Sequence, residues 1–183
     1  MSICNYQEII DFWFDEEHKS LWFNSNPLFD SELKEQFEST YTAACEGELS
    51  VWEQHPEGLL ALVILFDQFP LNMYRGDVKS FATEDRSRDL ADQAIEKGWD
   101  VKLSNEQKAF LYMPFMHSEN LEDQDRGIAL FEQAGLNENA KFAHHHRDII
   151  HRFGRFPHRN SILNRENTDA EKNYLISGEA FLG

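Results

Sequence analysis

Helix-capping residues recur along this chain at intervals suited to short helices, and that recurrence limits the fold more than any other feature. Asp30 precedes Leu33, Phe37, Tyr41 and Ala44, an apolar set at three- and four-residue spacing, and Gly47 follows as a stop. Thr83 opens a second stretch, with Leu90, Ala91, Ala94 and Ile95 on one face and Gly98 at its end. Ser104 with Gln107 forms a capping-box pair ahead of NEQKAFLYMPFMH. Ser118 or Asn120 starts a helix carrying Leu121, Ile128 and Phe131, closed by Gly135, and Asn139 starts another, closed by Gly154. Thr168 with Glu171 is a second capping box, and Gly178 follows it. The clearest predicted helices therefore span Asp30–Cys45, Thr83–Lys97, Ser104–Met113 and Asn139–Phe153.

The apolar run LLALVILF at Leu59–Phe66 reads as a buried strand or a buried helix. Pro56 before it, Pro70 after Phe69 and helical neighbours favour the helix. Nowhere does clean period-two alternation sit between hairpin turns. The expected class is all-α: a compact bundle of helical hairpins with about eight to ten helices, joined by short connections. No linker or low-complexity segment divides the 183 residues, so one domain over 1–183 is expected. No strict internal repeat supports a consensus solenoid.

The net charge of −16 disfavours nucleic acid and anionic membranes as partners, because like charges repel at long range. That charge is uneven. Between Lys141 and Arg165 six basic residues face Asp148 alone, a local +5 on a body that carries −21. Cys4 and Cys45 form no CxxC pair, so zinc-ribbon and thioredoxin-like motifs are excluded, and a reducing compartment is the simpler reading. The opening MSICNYQEIIDFWF lacks a basic segment and a small-residue cleavage site, and the longest apolar run is far below the ~20 residues that span a bilayer. A soluble, cytoplasmic protein is expected.

Three constellations carry candidate chemistry. The first is FAHHHRDIIHRFGRFPHRN at Phe142–Asn160, with five of the eight histidines. On its helix, Phe142, His146, Ile149, Ile150 and Phe153 form an apolar stripe holding one imidazole. That places His146 either as a buried neutral histidine bonded to a backbone group or as a site residue. His144, Asp148 and His151 form a second stripe, either a metal-ligating face or a solvated polar one. Arg152 and Arg155 suit the negative end of the helix, whereas Arg159 and Asn160 lie beyond it, on a turn held by Gly154 and Pro157. Guanidinium groups on a rigid turn also suit bidentate anion binding. The second constellation is LFDQFPLNMYRG. Here Asp67 lies inside an apolar run near a helix end and calls for a cationic partner, with Arg75 the nearest candidate. The third is LYMPFMHSENLEDQ, where Pro114 is expected to kink or end a helix just before His117, Ser118 and Glu119. Ser118 reads as a cap rather than a nucleophile paired with its neighbour His117.

Together, FDQFPLN with YRG and FAT, FLYMPFMHSE with EDQ, and HRDII with RFGRFPHRN resemble the bacterial domain-of-unknown-function 924 family, from IIDFWF at Ile9–Phe14 to the final FLG. The resemblance implies a helical fold similar to tetratricopeptide-repeat proteins, with no established activity. It carries over Asp67, Gln68, Asn72, Tyr74 and Arg75 from the first motif. It adds His117, Ser118, Glu119, Asp123 and Gln124 from the second. The third contributes His146, Arg147, Asp148, Arg152, Arg155, His158, Arg159 and Asn160. Leu71 departs from the basic residue expected there, and His144, His145 and His151 fall outside the pattern.

Two functions remain open. One is a pocket for a small anionic metabolite, lined by Asp67, Arg75, His117, Glu119, His146, Arg152, Arg155, His158, Arg159 and Asn160. The other is a tetratricopeptide-like module that binds a peptide or protein without catalysis. No phosphate loop, nucleophile elbow or HExxH motif is present, so no reaction type and no catalytic residue follow. Neither a cofactor nor a tightly bound metal is expected.

Overall fold

Asn5 opens the first helix, α1 (Tyr6–Trp13), with a complete capping box. Its side chain accepts from the N–H groups of Gln7 and Glu8, and the Glu8 carboxylate accepts from the Asn5 N–H. The computed structural model describes residues 3–181, so Leu182 and Gly183 of the final FLG and the opening Met1 and Ser2 lie outside the described residues. Among the described residues there are nine α-helices and no strand, which bears out the all-α class and the helix number. None of these helices is long and apolar enough to cross a membrane.

After α1 come α2 (Glu16–Lys19), α3 (Pro27–Cys45), α4 (Pro56–Met73), α5 (Glu84–Glu96), α6 (Asn105–His117), α7 (Leu121–Gln133), α8 (Asn137–Phe153) and α9 (Asp169–Leu175). The backbone groups into two compact units. The first takes residues up to Arg75 together with Lys79–Pro114; the second takes Gly76–Val78 and everything from Phe115 onward.

In the first unit α4 packs against α1, α3, α5 and a 3-10 turn at Ser50–Gln54. A helix covered on every side must be apolar all round, and LLALVILF is the consequence: every residue from Leu59 to Phe66 is buried. Gly58 is where the 3-10 turn comes closest, since a Cβ there would sit 2.2 Å from the Trp52 carbonyl oxygen. Pro70 does not end α4, as its flanking position in the sequence suggested; the helix runs through it to Met73. A proline has no N–H for the carbonyl four residues back, and here that carbonyl, on Phe66, accepts instead from the Thr83 hydroxyl at 2.6 Å. Thr83 thus stands at the start of α5 but spends its side chain on α4 rather than on the expected cap.

Three other boundaries shift for local reasons. α3 begins one turn before Asp30, because Asn26 caps it and Pro27 takes the first helical position. α6 opens with the expected Ser104–Gln107 box but continues through Pro114 to His117, so the proline does not end it. α8 starts at Asn137, two residues before Asn139.

The second unit is organised by α7 and α8, which pack together across the short turn at Gly135. Gly127 lets α7 approach Phe115 closely, since a Cβ there would meet the Phe115 Cβ at 3.0 Å. α8 ends at Gly154 in the left-handed conformation, φ 71°, as the sequence indicated. A 3-10 turn at Pro157–Arg159 follows, then α9 with the complete Thr168–Glu171 box. Ile149, Ile150, Phe156 and Tyr174 form a buried core cluster of this unit, and Phe153, Leu175, Ala180 and Phe181 pack against it.

Candidate functional site

Gly154 turns the chain back so that Phe156 is fully buried beneath α8. Around its ring lie three groups from the basic segment. The His146 ring is 5.5 Å away and the His158 ring 5.6 Å, while the Arg159 guanidinium lies 4.7 Å above the ring face. Arg159 is itself buried and donates to the His117 carbonyl at 3.1 Å. The ring of Phe181 stands edge-to-face against His146 at 4.5 Å and against His158 at 5.1 Å. Its backbone N–H donates to the Tyr174 hydroxyl at 2.9 Å.

The ordinary reading of His146 holds in this setting. Its Nδ1 lies 2.8 Å from the Phe142 carbonyl oxygen. A carbonyl can only accept, so the proton is on Nδ1 and Nε2 keeps a lone pair. Burial drops its pKa to about 3, outweighing the Phe142 carbonyl, and His117, His145 and His158 lower it further. His158 falls to about 4, first through burial and then through Arg159, with His117 and Arg165 adding to the effect against an opposing Glu119. Both rings are neutral at pH 7. The His158 Nδ1 atom is buried and has no hydrogen-bond partner.

Other residues of the basic segment are engaged by carboxylates. Arg155 grips the buried Glu171 through Nε at 2.6 Å and Nη2 at 2.9 Å, and Nη2 also donates to the Glu166 carbonyl. These bonds draw Glu171 down to about 2, against burial, which raises it. Glu119 is held by Arg165 through two bonds, of 2.7 and 2.9 Å, and by the Phe156 N–H at 2.8 Å. Burial alone would raise Glu119; Arg165 and the Phe156 N–H reverse that, and its pKa is lowered. Arg165 also donates to Asn160, which in turn donates to Asn167. Arg147 pairs with Asp125 at 2.8 Å. Arg152 is exposed, with its guanidinium 4.7 Å from the Phe153 ring and 5.7 Å from that of Tyr174, on the wall of a shallow cleft that also touches His145, Asp148 and Glu179.

The structure therefore sorts the candidate residues. His146, His158 and Arg159 come together around Phe156, and the His117 carbonyl accepts from Arg159. Glu119, Arg155 and Asn160 belong to the ion-pair and amide network beside them. Asp67 and Arg75 lie in the first unit. There Asp67 is buried and accepts from the Gln68 amide at 2.5 Å. The expectation that Arg75 neutralises Asp67 is corrected: its guanidinium turns to Asp30 at 2.8 Å, to Asn72 at 2.9 Å and to Ser25. Ser118 donates to Asp123 at 2.6 Å, while Asn120 caps α7. His144 of the second stripe pairs with Glu132 at 3.0 Å. Among the described residues no group of three or more His, Cys, Asp or Glu could hold a metal ion.

Sequence reasoning missed two contributors, Arg165 and Phe181. Arg165 was visible only as one more charge in the basic island. Phe181 carried no signal beyond its place in the final FLG.

Three comparisons bear on this arrangement. The model of a family described as a bacterial protein of unknown function (DUF924) matches residues 9–179. The solved structure of ATU0120, a protein of unknown function from Agrobacterium tumefaciens, is similar over 94% of this chain and 97% of its own, at 40% identity and a TM-score of 0.89. None of the curated proteins matches.

Proposed function

We propose, on the premise that this chain belongs to the bacterial family of unknown function DUF924, that its second unit binds a small anion at the group formed by His117, His146, His158 and Arg159. One atom carries this reading: Nδ1 of His158, buried and without a hydrogen-bond partner. Native proteins rarely leave a buried polar atom unsatisfied, because its lost hydration costs about 1–3 kcal/mol. A ligand oxygen beside the ring would restore that bond. The Arg159 guanidinium, the largest charged contribution at His158, favours a negative one, against an opposing Glu119 that Arg165 holds. The lone pair on His146 Nε2 would suit a ligand that carries a proton.

Isothermal titration with inorganic phosphate at low salt tests the proposal. Wild-type protein should bind it, and His158→Phe, which keeps an aromatic ring there and removes both nitrogens, should not. Equal phosphate binding by the two proteins would remove the site from His158. A second reading, a helical module that binds a peptide, draws on Phe23 and Leu28 of the first unit, 75% and 83% exposed. Under that reading neither protein responds to phosphate.

A further inference from the structure

Arg147, Arg155 and Arg165 each hold a carboxylate, on Asp125, Glu171 and Glu119 respectively. Arg152 holds none. Among the described residues its guanidinium makes no hydrogen bond or ion pair, and it lies over the rings of Phe153 and Tyr174. Two carboxylates are nonetheless at hand. Asp148 stands four residues earlier on α8, the spacing at which an acid followed by an arginine forms an ion pair, and Glu179 comes from the segment after α9. All three line one cleft of about 160 Å³, whose apolar wall is Ile149, Phe153 and Tyr174. Neither carboxylate has a hydrogen-bond or ion-pair partner among the described residues.

The wall is fixed. Tyr174 is buried, and the segment carrying Glu179 is held by Ser177 Oγ, which donates to the Tyr174 carbonyl at 2.7 Å, and by the Tyr174 hydroxyl, which accepts from the Phe181 N–H at 2.9 Å. A guanidinium steadied over aromatic rings keeps its planar N–H donors for another acceptor. An unpaired fork, two unpaired carboxylates and an apolar wall complement a molecule with one carboxylate, two ammonium groups and methylenes between them. The volume lies below the ~300–1,000 Å³ of pockets for drug-sized ligands, which limits the occupant to a small metabolite.

We propose that this cleft binds a free diamino acid of the lysine type. Its carboxylate accepts from Arg152, its ammonium groups donate to Asp148 and Glu179, and its methylenes lie on Ile149 and Phe153. The charges match, since one arginine and two carboxylates sum to −1 and the ligand carries the opposite charge. The site uses neither His158 nor Arg159 and stands apart from the phosphate proposal.

Isothermal titration at low salt tests it with three probes: lysine, norleucine, which lacks the terminal ammonium, and cadaverine, which lacks the carboxylate. Wild type should bind lysine at least about tenfold more tightly than either, the factor that one charged hydrogen bond contributes. Arg152→Gln should weaken lysine by a similar factor without weakening cadaverine. The double variant Asp148→Asn, Glu179→Gln should abolish lysine binding. These side chains are exposed, so both proteins should keep the wild-type unfolding midpoint. Amide resonances of Ile149, Phe153 and Tyr174 should shift when lysine is added to wild type. Absence of lysine binding by wild type, or equal lysine affinity in Arg152→Gln, overturns the proposal. Norleucine or cadaverine binding as tightly as lysine overturns the diamino acid assignment.

Discussion

Acidification should destabilise this protein well before its carboxylates titrate, and two histidines, the buried His146 and the partly buried His158, set the size of the effect. His146 and His158 have pKa values of about 3 and about 4 in the fold, against 6.5 for the free side chain. Between those values and 6.5 the unfolded chain binds protons that the folded chain refuses, so stability falls as pH falls. The stabilisation is complete above pH 6.5 and is lost progressively toward pH 4 and below. One pKa unit corresponds to about 1.4 kcal/mol. At pH 5, each histidine therefore costs about 2 kcal/mol, and the pair about 4 kcal/mol. That is a large share of the ~5–15 kcal/mol that stabilises a typical domain. Urea unfolding at pH 7.5 and pH 5.0 measures it, compared with the double variant His146→Leu, His158→Phe. Every other titrating group contributes to both proteins, so the difference between the two pH responses isolates the histidine pair. The double variant should lose about 4 kcal/mol less than wild type over that range. If both lose the same amount, the fold does not hold the two imidazoles neutral, and the electrostatic picture of the site is wrong.

Two further outcomes test the packing. Gly58→Ala should destabilise the first unit by about 1–3 kcal/mol in urea unfolding, despite the better helix propensity of alanine, because the new methyl meets the Trp52 backbone rather than a movable side chain. Glu119→Gln should cost about 2 kcal/mol, since it removes the charge that holds Arg165 and accepts from Phe156, whereas Arg75→Ala, at an ion pair whose arginine is 56% exposed, should cost under ~1 kcal/mol; comparable unfolding midpoints for these two variants would contradict the assignment of Glu119 to the structural network.

The helices were legible because a cap is a local device. Thr168 and Glu171, or Ser104 and Gln107, satisfy each other's backbone groups within four residues, and nothing distant is needed to make them do so. The same locality placed His146 on an apolar stripe and gave its proton a carbonyl one turn back. Where local signals competed, neighbours decided. Asp30 looked like a cap, yet Asn26 and Pro27 start α3 earlier and leave Asp30 to Arg75. Thr83 could cap α5, but Pro70, thirteen positions away, strips a carbonyl on α4 of its donor, and the hydroxyl goes there.

The basic island shows the limit of that locality. With 33 acidic residues and 17 basic ones, each arginine had several candidate partners, and composition could count the charges without pairing them. Glu119 with Arg165, 46 positions apart, and Arg155 with Glu171, 16 apart, are choices made by the path of the chain after Gly154. So is the placing of Phe181, 35 residues beyond His146, against its ring. The sequence by itself determined that this chain is helical, where most of its helices begin and end, and that His146 lies on an apolar face, because those properties depend on bonds and faces within one or two turns. Which carboxylate holds which arginine, and which ring covers the imidazoles, only the tertiary structure decided, because those contacts depend on how far separate segments are carried toward one another in space.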